Sequence, residues 1–359
     1  MMHLDWIDRY KGFLIILVVM GHVVGGAYHI AQEVAQPFLH YAYLTIYAFH
    51  MPAFFFVAGI TWRIKDGETF GAFVVKKAKR LLVPYAIFGL ASTVVYCLMV
   101  ADVQTTLQGA QTTNYYQDKF AGRWLECLIG LLHAGGYPNG EGFRMNSVLW
   151  FLPCMFTTEV IYYVIEKSRW LGRFGFAVVI LCVALAIGLP RIGLESPWGV
   201  ACAPHYLLFM MLGRVWGKGE WTISGMRMGM RSAALLAGSM AFATVVWALP
   251  NPWIQVEQWP WRVVYMALAA IGCVLFAEIA KVLEGRWLAA CGMASMGIML
   301  MHKFFVVGFE LKVGPFRRLI GSGLSGAIVG CLIIGAVSTA VCYVLTRIIQ
   351  KNSKWMLGE

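Results

Sequence analysis

Residues 8–22 read DRYKGFLIILVVMGH, a long apolar run with a basic residue, Lys11, near its start and a histidine, His22, at its end. The apolar character continues to about residue 30, which supplies the roughly 20 residues that a helix needs to cross a bilayer. Asp5 and Asp8 precede the apolar stretch that begins after Gly12, and no convincing small-residue cleavage site follows it. The stretch therefore predicts a permanent membrane helix rather than a removable signal peptide.

The composition of the whole chain extends this prediction. The 359 residues are 60% hydrophobic and only 13% charged, whereas soluble domains carry about 25% charged residues. The nine cysteines occur singly, without the spacing of a disulfide framework or a metal site. The net charge of +11 comes from short basic clusters between apolar blocks, which is typical of membrane topology and not of a nucleic-acid surface.

Apolar blocks of membrane length recur along the chain and predict one all-α, polytopic bundle over residues 1–359. The ten predicted spans cover about 11–30, 41–62, 82–102, 147–166, 174–190, 200–217, 232–249, 261–283, 288–311 and 321–347. A further apolar stretch, WLECLIGLLH at 124–133, is too short to cross and predicts an interfacial or re-entrant helix.

The orientation follows from the distribution of lysine and arginine. Most of the 29 basic residues fall in the N-terminus, the C-terminus and the loops after every second span. The positive-inside rule then places both termini in the cytoplasm of a cell, with the chain in the inner (cytoplasmic) membrane. The polar segment 103–146 becomes an outside loop able to cover or grip a ligand.

Ionisable side chains at membrane depth are costly and are candidates for function by default. Lys11 and His22 are eleven residues apart, so they share one helix face and differ by about 16 Å in depth. Lys11 would then lie at the cytoplasmic interface, and His22, a side chain able to take a proton near neutral pH, in mid-membrane. A packing histidine with a snorkelling lysine remains the structural alternative.

Other intramembrane residues extend the list of candidates. His50 precedes Pro52, which can loosen the second span and free a carbonyl, although a helix-packing histidine is an equal reading. Glu159 needs a proton or a partner, which His22, His50 or Arg63 could supply. His302 and Lys303 are adjacent and point to different faces, and His302 is the one we expect at a shared centre.

A basic stretch, KKAKRLLVPY at 76–85, lies just before the predicted third span. Topology alone explains its charges. A functional reading is that its basic residues, together with Arg63, hold the phosphates of an anionic cytoplasmic donor. The residues concerned are Lys76, Lys77, Lys79 and Arg80.

Five stretches, taken in order, resemble the membrane acyltransferase type 3 family and its fucose 4-O-acetylase-like branch. They are DRYKGFLIILVVMGH (8–22), FHMPAFFFVAG (49–59), KAKRLLVPY (77–85), LWFLP (149–153) and GMASMGIMLMH (292–302). The family's pair of a basic residue and a histidine carries over to Lys11 and His22. Many members have arginine at the first position, and lysine lacks its bidentate fork. Many also read FFxxSG, where this chain has Ala58 in place of serine.

The resemblance implies an acyltransferase that moves an acyl group, most often acetyl, from acyl-CoA to a hydroxyl of a cell-surface glycan. His22 would be base or acyl carrier, with Glu159 or His50 orienting it and Lys11 or Arg63 stabilising negative charge. Expected partners are acyl-CoA, a glycan or lipid-linked sugar, membrane lipids and, as one option, a second copy of the chain, with no nucleic acid. A glycan transporter or flippase and a non-catalytic scaffold are the alternatives.

Overall fold

The structure is a computed structural model that describes residues 5–106, 124–134, 146–168, 170–189, 197–218, 228–249 and 259–359. Within these ranges the regular structure is entirely helical, without a strand. The α-helices are α1 (Asp5–Tyr28), α2 (Gln36–Tyr47), α3 (His50–Ile60), α4 (Phe70–Thr106), α5 (Trp124–His133), α6 (Phe151–Lys167), α7 (Trp170–Gly188), α8 (Ala203–Lys218), α9 (Met228–Ala248), α10 (Trp259–Val282), α11 (Arg286–Met293), α12 (Ser295–Lys312), α13 (Gly314–Ile320) and α14 (Leu324–Ser353).

Short 3₁₀ turns flank several of these helices, at Ser147–Trp150, Pro197–Gly199 and Lys354–Leu357. The chain divides into two compact units. Unit 1 comprises Met1–Ile64 and Tyr206–Lys351, and unit 2 comprises Lys65–His205 and Asn352–Glu359. The prediction of a single domain over 1–359 stays a prediction.

In unit 1, glycines bring helix backbones into direct contact. A Cβ atom at Gly12 of α1 would collide with the carbonyl oxygen of Leu288 in α11, and one at Gly292 would collide with that of Asp8. Gly59 of α3 and Gly213 of α8 approach each other's helix in the same way, each against a backbone carbonyl. Small residues at such crossings are the usual means of packing membrane helices, because lipid offers no hydrophobic drive for their association.

In unit 2, α4 is longer than the sequence predicts. The predicted span began at residue 82, but the helix starts at Phe70 and runs through Pro84, so the basic stretch is helical and the predicted boundary is wrong. A proline inside a helix leaves the carbonyl four residues earlier, here that of Arg80, without its helical donor. Gly358, with a φ of +72°, packs directly over this carbonyl, where a side chain would collide.

Each predicted span contains a described helix, but the number ten is not confirmed. Seven helical stretches in the described ranges are long and apolar enough to cross a membrane, or eight if the bent pair Arg286–Met293 and Ser295–Gly308 counts as one span. The predicted spans at 174–190 and 200–217 correspond to the shorter helices Phe174–Gly188 and Ala203–Lys218. These fall short of the roughly 20 residues of a full crossing.

The predicted span 288–311 is bent. It breaks at Ala294, where α11 and α12 meet at 84°. The Gly292 contact with α1 holds α11 along that helix, and the chain turns away at the small residues that follow, a composition known to permit kinks. The second predicted span, 41–62, corresponds to one stretch long enough to cross, Gln36–Ile60, in which a short turn separates the end of α2 at Tyr47 from the start of α3 at His50.

Large apolar side chains remain exposed on several helices, as a bilayer-facing surface requires. The exposed residues include Phe176, Leu236, Trp247, Ile271 and Val344. Exposed apolar residues distributed over α7, α9, α10 and α14 would be a liability in water. Most of the predicted loop 103–146 lies outside the described residues, but the short helix predicted at 124–133 is present as α5.

Candidate functional site

The histidine at the end of the opening motif lies beside two other aromatic polar groups in unit 1. The Nδ1 atom of His22, on α1, is 3.3 Å from the hydroxyl oxygen of Tyr47, the last residue of α2. The ring of His302, on α12, has its centroid 5.3 Å from that of His22. Residues from three helices therefore meet at one place. We call His22, Tyr47, His50 and His302 the histidine cluster.

His50 and His302 use the same nitrogen in the same way. Nδ1 of His50 is 2.8 Å from the carbonyl oxygen of Ile46, and Nδ1 of His302 is 3.0 Å from that of Ile298. A carbonyl only accepts hydrogen bonds, so both Nδ1 atoms carry a proton, and in a neutral ring the lone pair is left on Nε2. The Nε2 atom of His302 is buried and has no hydrogen-bond partner among the described residues.

His302 itself is fully buried, whereas the adjacent Lys303 is partly exposed. The ammonium of Lys303 acts electrostatically on both His302 and His22, so the expectation that only His302 faces the shared centre stays a prediction. A buried acceptor without a partner costs free energy, and such groups in native proteins call for an explanation, of which a bound ligand or a catalytic role is one.

Tyr47 is the member of the cluster that the sequence reasoning missed. Its ring stacks on Tyr43 at 4.0 Å between centroids and meets His50 edge-on at 4.6 Å. Gly21 and Gly25 of α1 have no side chains and so leave space for the rings of Tyr47 and Tyr43 of α2. A Cβ at Gly21 would lie 2.9 Å from Tyr47 Cε2, and one at Gly25 would lie 3.1 Å from Tyr43 Cε2. The signal in the sequence is this pair of glycines four residues apart, which is typical of close helix packing.

Lys11 lies on the same helix as His22 but has a charged neighbour of its own. Its Nζ atom is 2.6 Å from the Asp8 carboxylate one turn earlier, and about a third of its side chain is exposed. The lysine is thus part of an ion pair at the start of α1. Its predicted role beside the histidine stays a prediction.

Glu159 belongs to unit 2 and is paired there. Its Oε1 atom is 2.5 Å from Nζ of Lys77, and both side chains are largely buried, with 8% and 14% exposed. The expectation that His22, His50 or Arg63 supplies the partner is wrong, because the helical start of α4 presents Lys77 instead. The charge of the buried carboxylate is thus matched by an ammonium group, while its Oε2 atom is buried without a hydrogen-bond partner among the described residues.

The remaining basic residues of the α4 stretch divide into paired and unpaired ones. Lys76 forms an ion pair with Glu68, whose backbone carbonyl also accepts the hydroxyl of Tyr163 at 2.8 Å. The Lys76 ammonium donates a hydrogen bond to the Glu68 carboxylate, and this bond holds the pKa of the carboxyl below its usual value. Lys79 and Arg80 are exposed, and neither forms an ion pair with the residues that the structure describes.

Arg63 is also exposed, in the irregular segment after α3. Lys79 borders an apolar cleft of about 410 Å³ between α4 and the C-terminal turn. The cleft is lined by Val75, Ala78, Leu82, Val83, Ala86, Ile87 and Trp355 in addition to Lys79.

A second ion-paired cluster lies in unit 1, around Glu278 of α10. Its carboxylate is 2.6 Å from Lys281 and 3.3 Å from Arg231. The Lys281 ammonium also lies 4.1 Å from the centre of the Trp216 ring, a cation–π contact. Both carboxylate oxygens of Glu278 are thus bound, which identifies the cluster as a structural link. Over the described ranges, no three His, Cys, Asp or Glu side chains are placed to hold a metal ion.

Comparison with known proteins gives the chemistry to which this arrangement belongs. A family model described as an acyltransferase domain matches residues 4–347, nearly the whole chain. The chain belongs to the acyltransferase type 3 family. It is therefore a multi-pass membrane acyltransferase. No curated protein and no solved structure matches it.

Family membership gives the ordered motifs of this acyltransferase a structural meaning. Gly59 and Gly292, which end and begin two of them, are helix-packing contacts. His22, His50 and His302 come from three different motifs and meet in one cluster. Lys77 and Leu149–Pro153 belong to unit 2, where Leu149 is fully buried. Some motif residues therefore serve packing, whereas three histidines from different motifs lie together in unit 1.

Proposed function

We propose that this acyltransferase moves an acetyl group from cytoplasmic acyl-CoA to a hydroxyl of an envelope or exported glycan, with the histidine cluster as its catalytic centre. The observation that carries the proposal is the buried Nε2 of His302, which has no partner in the described ranges and lies in the ring pair with His22. Two imidazoles without a metal geometry or an ion pair suit proton transfer to and from a hydroxyl.

In this reaction His22 is the general base. Its Nε2 takes the proton of the acceptor hydroxyl while the hydroxyl oxygen attacks the thioester carbonyl. The tetrahedral intermediate collapses, the carbon–sulfur bond breaks, and the thiolate of CoA takes the proton back from His22. The products are the ester and free CoA. A variant in which His22 first carries the acetyl group on Nε2 uses the same residues.

His302 is the second polar group at this centre, and we assign it to holding the acceptor through a hydroxyl next to the reacting one, because the single proton of the reacting hydroxyl goes to His22. The Nε2 lone pair of His302 accepts a hydrogen bond from that neighbouring hydroxyl, which satisfies the buried atom only when substrate is bound. His50 is one contact further away, behind Tyr47. It supports the cluster by fixing the tyrosine ring.

The orientation belongs to the same proposal. Both termini lie on the cytoplasmic side of the inner membrane, so the donor approaches His22 from the cytoplasm and the acceptor from the opposite side. The phosphates of the donor bind the free cations Lys79 and Arg80, since Lys76 and Lys77 are already neutralised by glutamates.

The test is transfer of labelled acetyl from acetyl-CoA to envelope glycan by the purified protein in lipid nanodiscs. His22→Ala is expected to lower turnover by about 10² to 10⁴-fold, the usual contribution of a general base. His302→Ala is expected to raise the KM for the acceptor more than that for acetyl-CoA. His29→Ala, an exposed histidine near the end of α1, is the matched control and keeps full activity.

Two results would count against the proposal. Retained turnover in a folded His22→Ala variant removes the base, and glycan movement without acetylated product in the wild type points to a transporter or flippase. Acid-quenched protein analysed by mass spectrometry distinguishes the two chemical routes. Acetyl bound to His22 in the absence of acceptor indicates the carrier route, and an unmodified peptide indicates direct transfer.

A further inference from the structure

We propose that Tyr47 is the positioning residue of His22. Its hydroxyl oxygen accepts a hydrogen bond from the protonated Nδ1 atom of His22, which leaves the lone pair of the ring on Nε2. This inference rests on the proposed function of His22 and adds to it a residue outside the predicted site. The contact that motivates it is the 3.3 Å separation between Tyr47 Oη and His22 Nδ1.

A neutral imidazole carries its single proton on one nitrogen or the other. If Tyr47 donated into Nδ1, the proton of His22 would sit on Nε2 and that atom could not act as base. If Tyr47 accepts, Nδ1 is protonated and Nε2 is free. His50 and His302 already have the second pattern, with Nδ1 donating to the carbonyl four residues earlier in the chain, that of Ile46 in α2 and that of Ile298 in α12. With Tyr47 as acceptor, all three histidines of the cluster share one tautomer.

The tyrosine is held well enough to serve this purpose. Its ring is stacked on Tyr43, edge-on to His50 and seated against Gly21. The hydroxyl oxygen therefore has little freedom to move away from His22. A second residue that fixes the tautomer of a base is the recurring logic of catalytic triads, in which a carboxylate usually has this role. Here a neutral phenol occupies that place.

The length of the contact indicates when it matters. At 3.3 Å it is longer than the 2.9 to 3.0 Å common for N–H···O bonds. Hydrogen bonds from a charged donor are shorter and stronger. When Nε2 takes the proton of the acceptor, His22 becomes an imidazolium and its bond to Tyr47 strengthens. The tyrosine thus stabilises the protonated state more than the resting one, and this difference accelerates the reaction.

The test is Tyr47→Phe, which keeps the ring and removes the oxygen. We expect kcat to fall about 10- to 100-fold, the range for losing one hydrogen bond to a charged group, with the KM for acetyl-CoA unchanged. The matched control is Tyr41→Phe, on the same helix but stacked on Trp247, which keeps full activity. A change in KM alone would indicate a packing role and overturn the assignment.

A second measurement is independent of activity. Nitrogen NMR of ¹⁵N-histidine-labelled protein, with His22 assigned by its loss in His22→Ala, reports which ring nitrogen is protonated. We expect protonated Nδ1 in the wild type and a shift toward the other tautomer in Tyr47→Phe. A wild-type His22 protonated on Nε2, or a tautomer unchanged by the substitution, would refute the role of Tyr47 even if His22 proves to be the base.

The two proposals fail in different ways. If His22→Ala stays active, the general base is wrong, yet the tautomer measurement still decides what Tyr47 does. If Tyr47→Phe does not fold, Gly21→Ala replaces it, because its Cβ would press on the Tyr47 ring and displace the hydroxyl. That variant should lower kcat in the same direction, and an unaltered kcat together with an unaltered tautomer would overturn the proposal.

Discussion

The histidine cluster of unit 1 and the basic start of α4 in unit 2 are both rich in ionisable groups, but they differ in whether those groups are paired with an opposite charge. In the basic stretch, Lys76 and Lys77 each face a glutamate. In the histidine cluster no carboxylate pairs with the rings, and a nitrogen of His302 is left without a partner among the described residues. The difference lies in charge: a carboxylate paired with an ammonium group holds structure together, whereas an uncharged buried acceptor without a partner is available to a substrate.

The largest expected effect that tests this contrast is the loss of folding stability when Lys77 is replaced. Lys77→Ala leaves the Glu159 carboxylate buried without its ammonium, and breaking a buried pair costs about 3–5 kcal/mol. Thermal unfolding in nanodiscs should show the loss. Lys77→Ala combined with Glu159→Gln should recover most of it, because no buried charge then remains. An unchanged unfolding temperature in the single variant would break the comparison.

A smaller loss is expected where the helices of the histidine cluster touch. Gly292→Ala places a methyl group against the Asp8 carbonyl, and forcing an extra methyl into close packing costs about 1–3 kcal/mol. Gly308→Ala, with nothing within 4 Å of the added atom, is the control on α12 and should be neutral or slightly stabilising. Equal stability of the two variants would show that the contact is not as close as described.

The exposed cations of α4 provide a test of binding instead of stability. Arg80→Ala should raise the KM for acetyl-CoA about tenfold, which equals about 1.4 kcal/mol for one phosphate contact, with little change in kcat. Lys76→Ala, in which a lysine already paired with Glu68 is removed, should have less effect on KM. If both variants change KM equally, ion pairing does not decide which cations are available to the donor.

The smallest effect concerns pH. The pKa of Glu68 is lowered in the folded protein by the Lys76 hydrogen bond, so its contribution to stability is present above the unfolded pKa and is lost as pH falls through the folded one. Exposed pairs contribute less than about 1 kcal/mol. Glu68→Gln should therefore flatten the acid side of the stability profile slightly. A profile identical to the wild type would show that the pair contributes nothing.

The sequence predicted what depends on local pattern and missed what depends on contact. Apolar length located a helix in each predicted span. The partner of Glu159 was wrong because nothing local shows that Lys77 is helical and faces α6. Tyr47 was missed because its contacts with His22 and Gly21 lie on another helix and leave no local pattern around Tyr47 itself. The bend at Ala294 was not predicted because no proline lies near it in the sequence.

The angle of that bend also affects the distance between His22 and His302. One side of the bend, α11, is held to α1 by the glycine contacts of Gly12 and Gly292, and α1 carries His22. The other side, α12, carries His302 eight residues from the bend, or about 12 Å along the helix. A change of about 5° in the 84° angle would move His302 by about 1 Å relative to His22. Displacements of that size are enough to change reaction rates by orders of magnitude, so the proposed role of the two histidines requires a stiff joint.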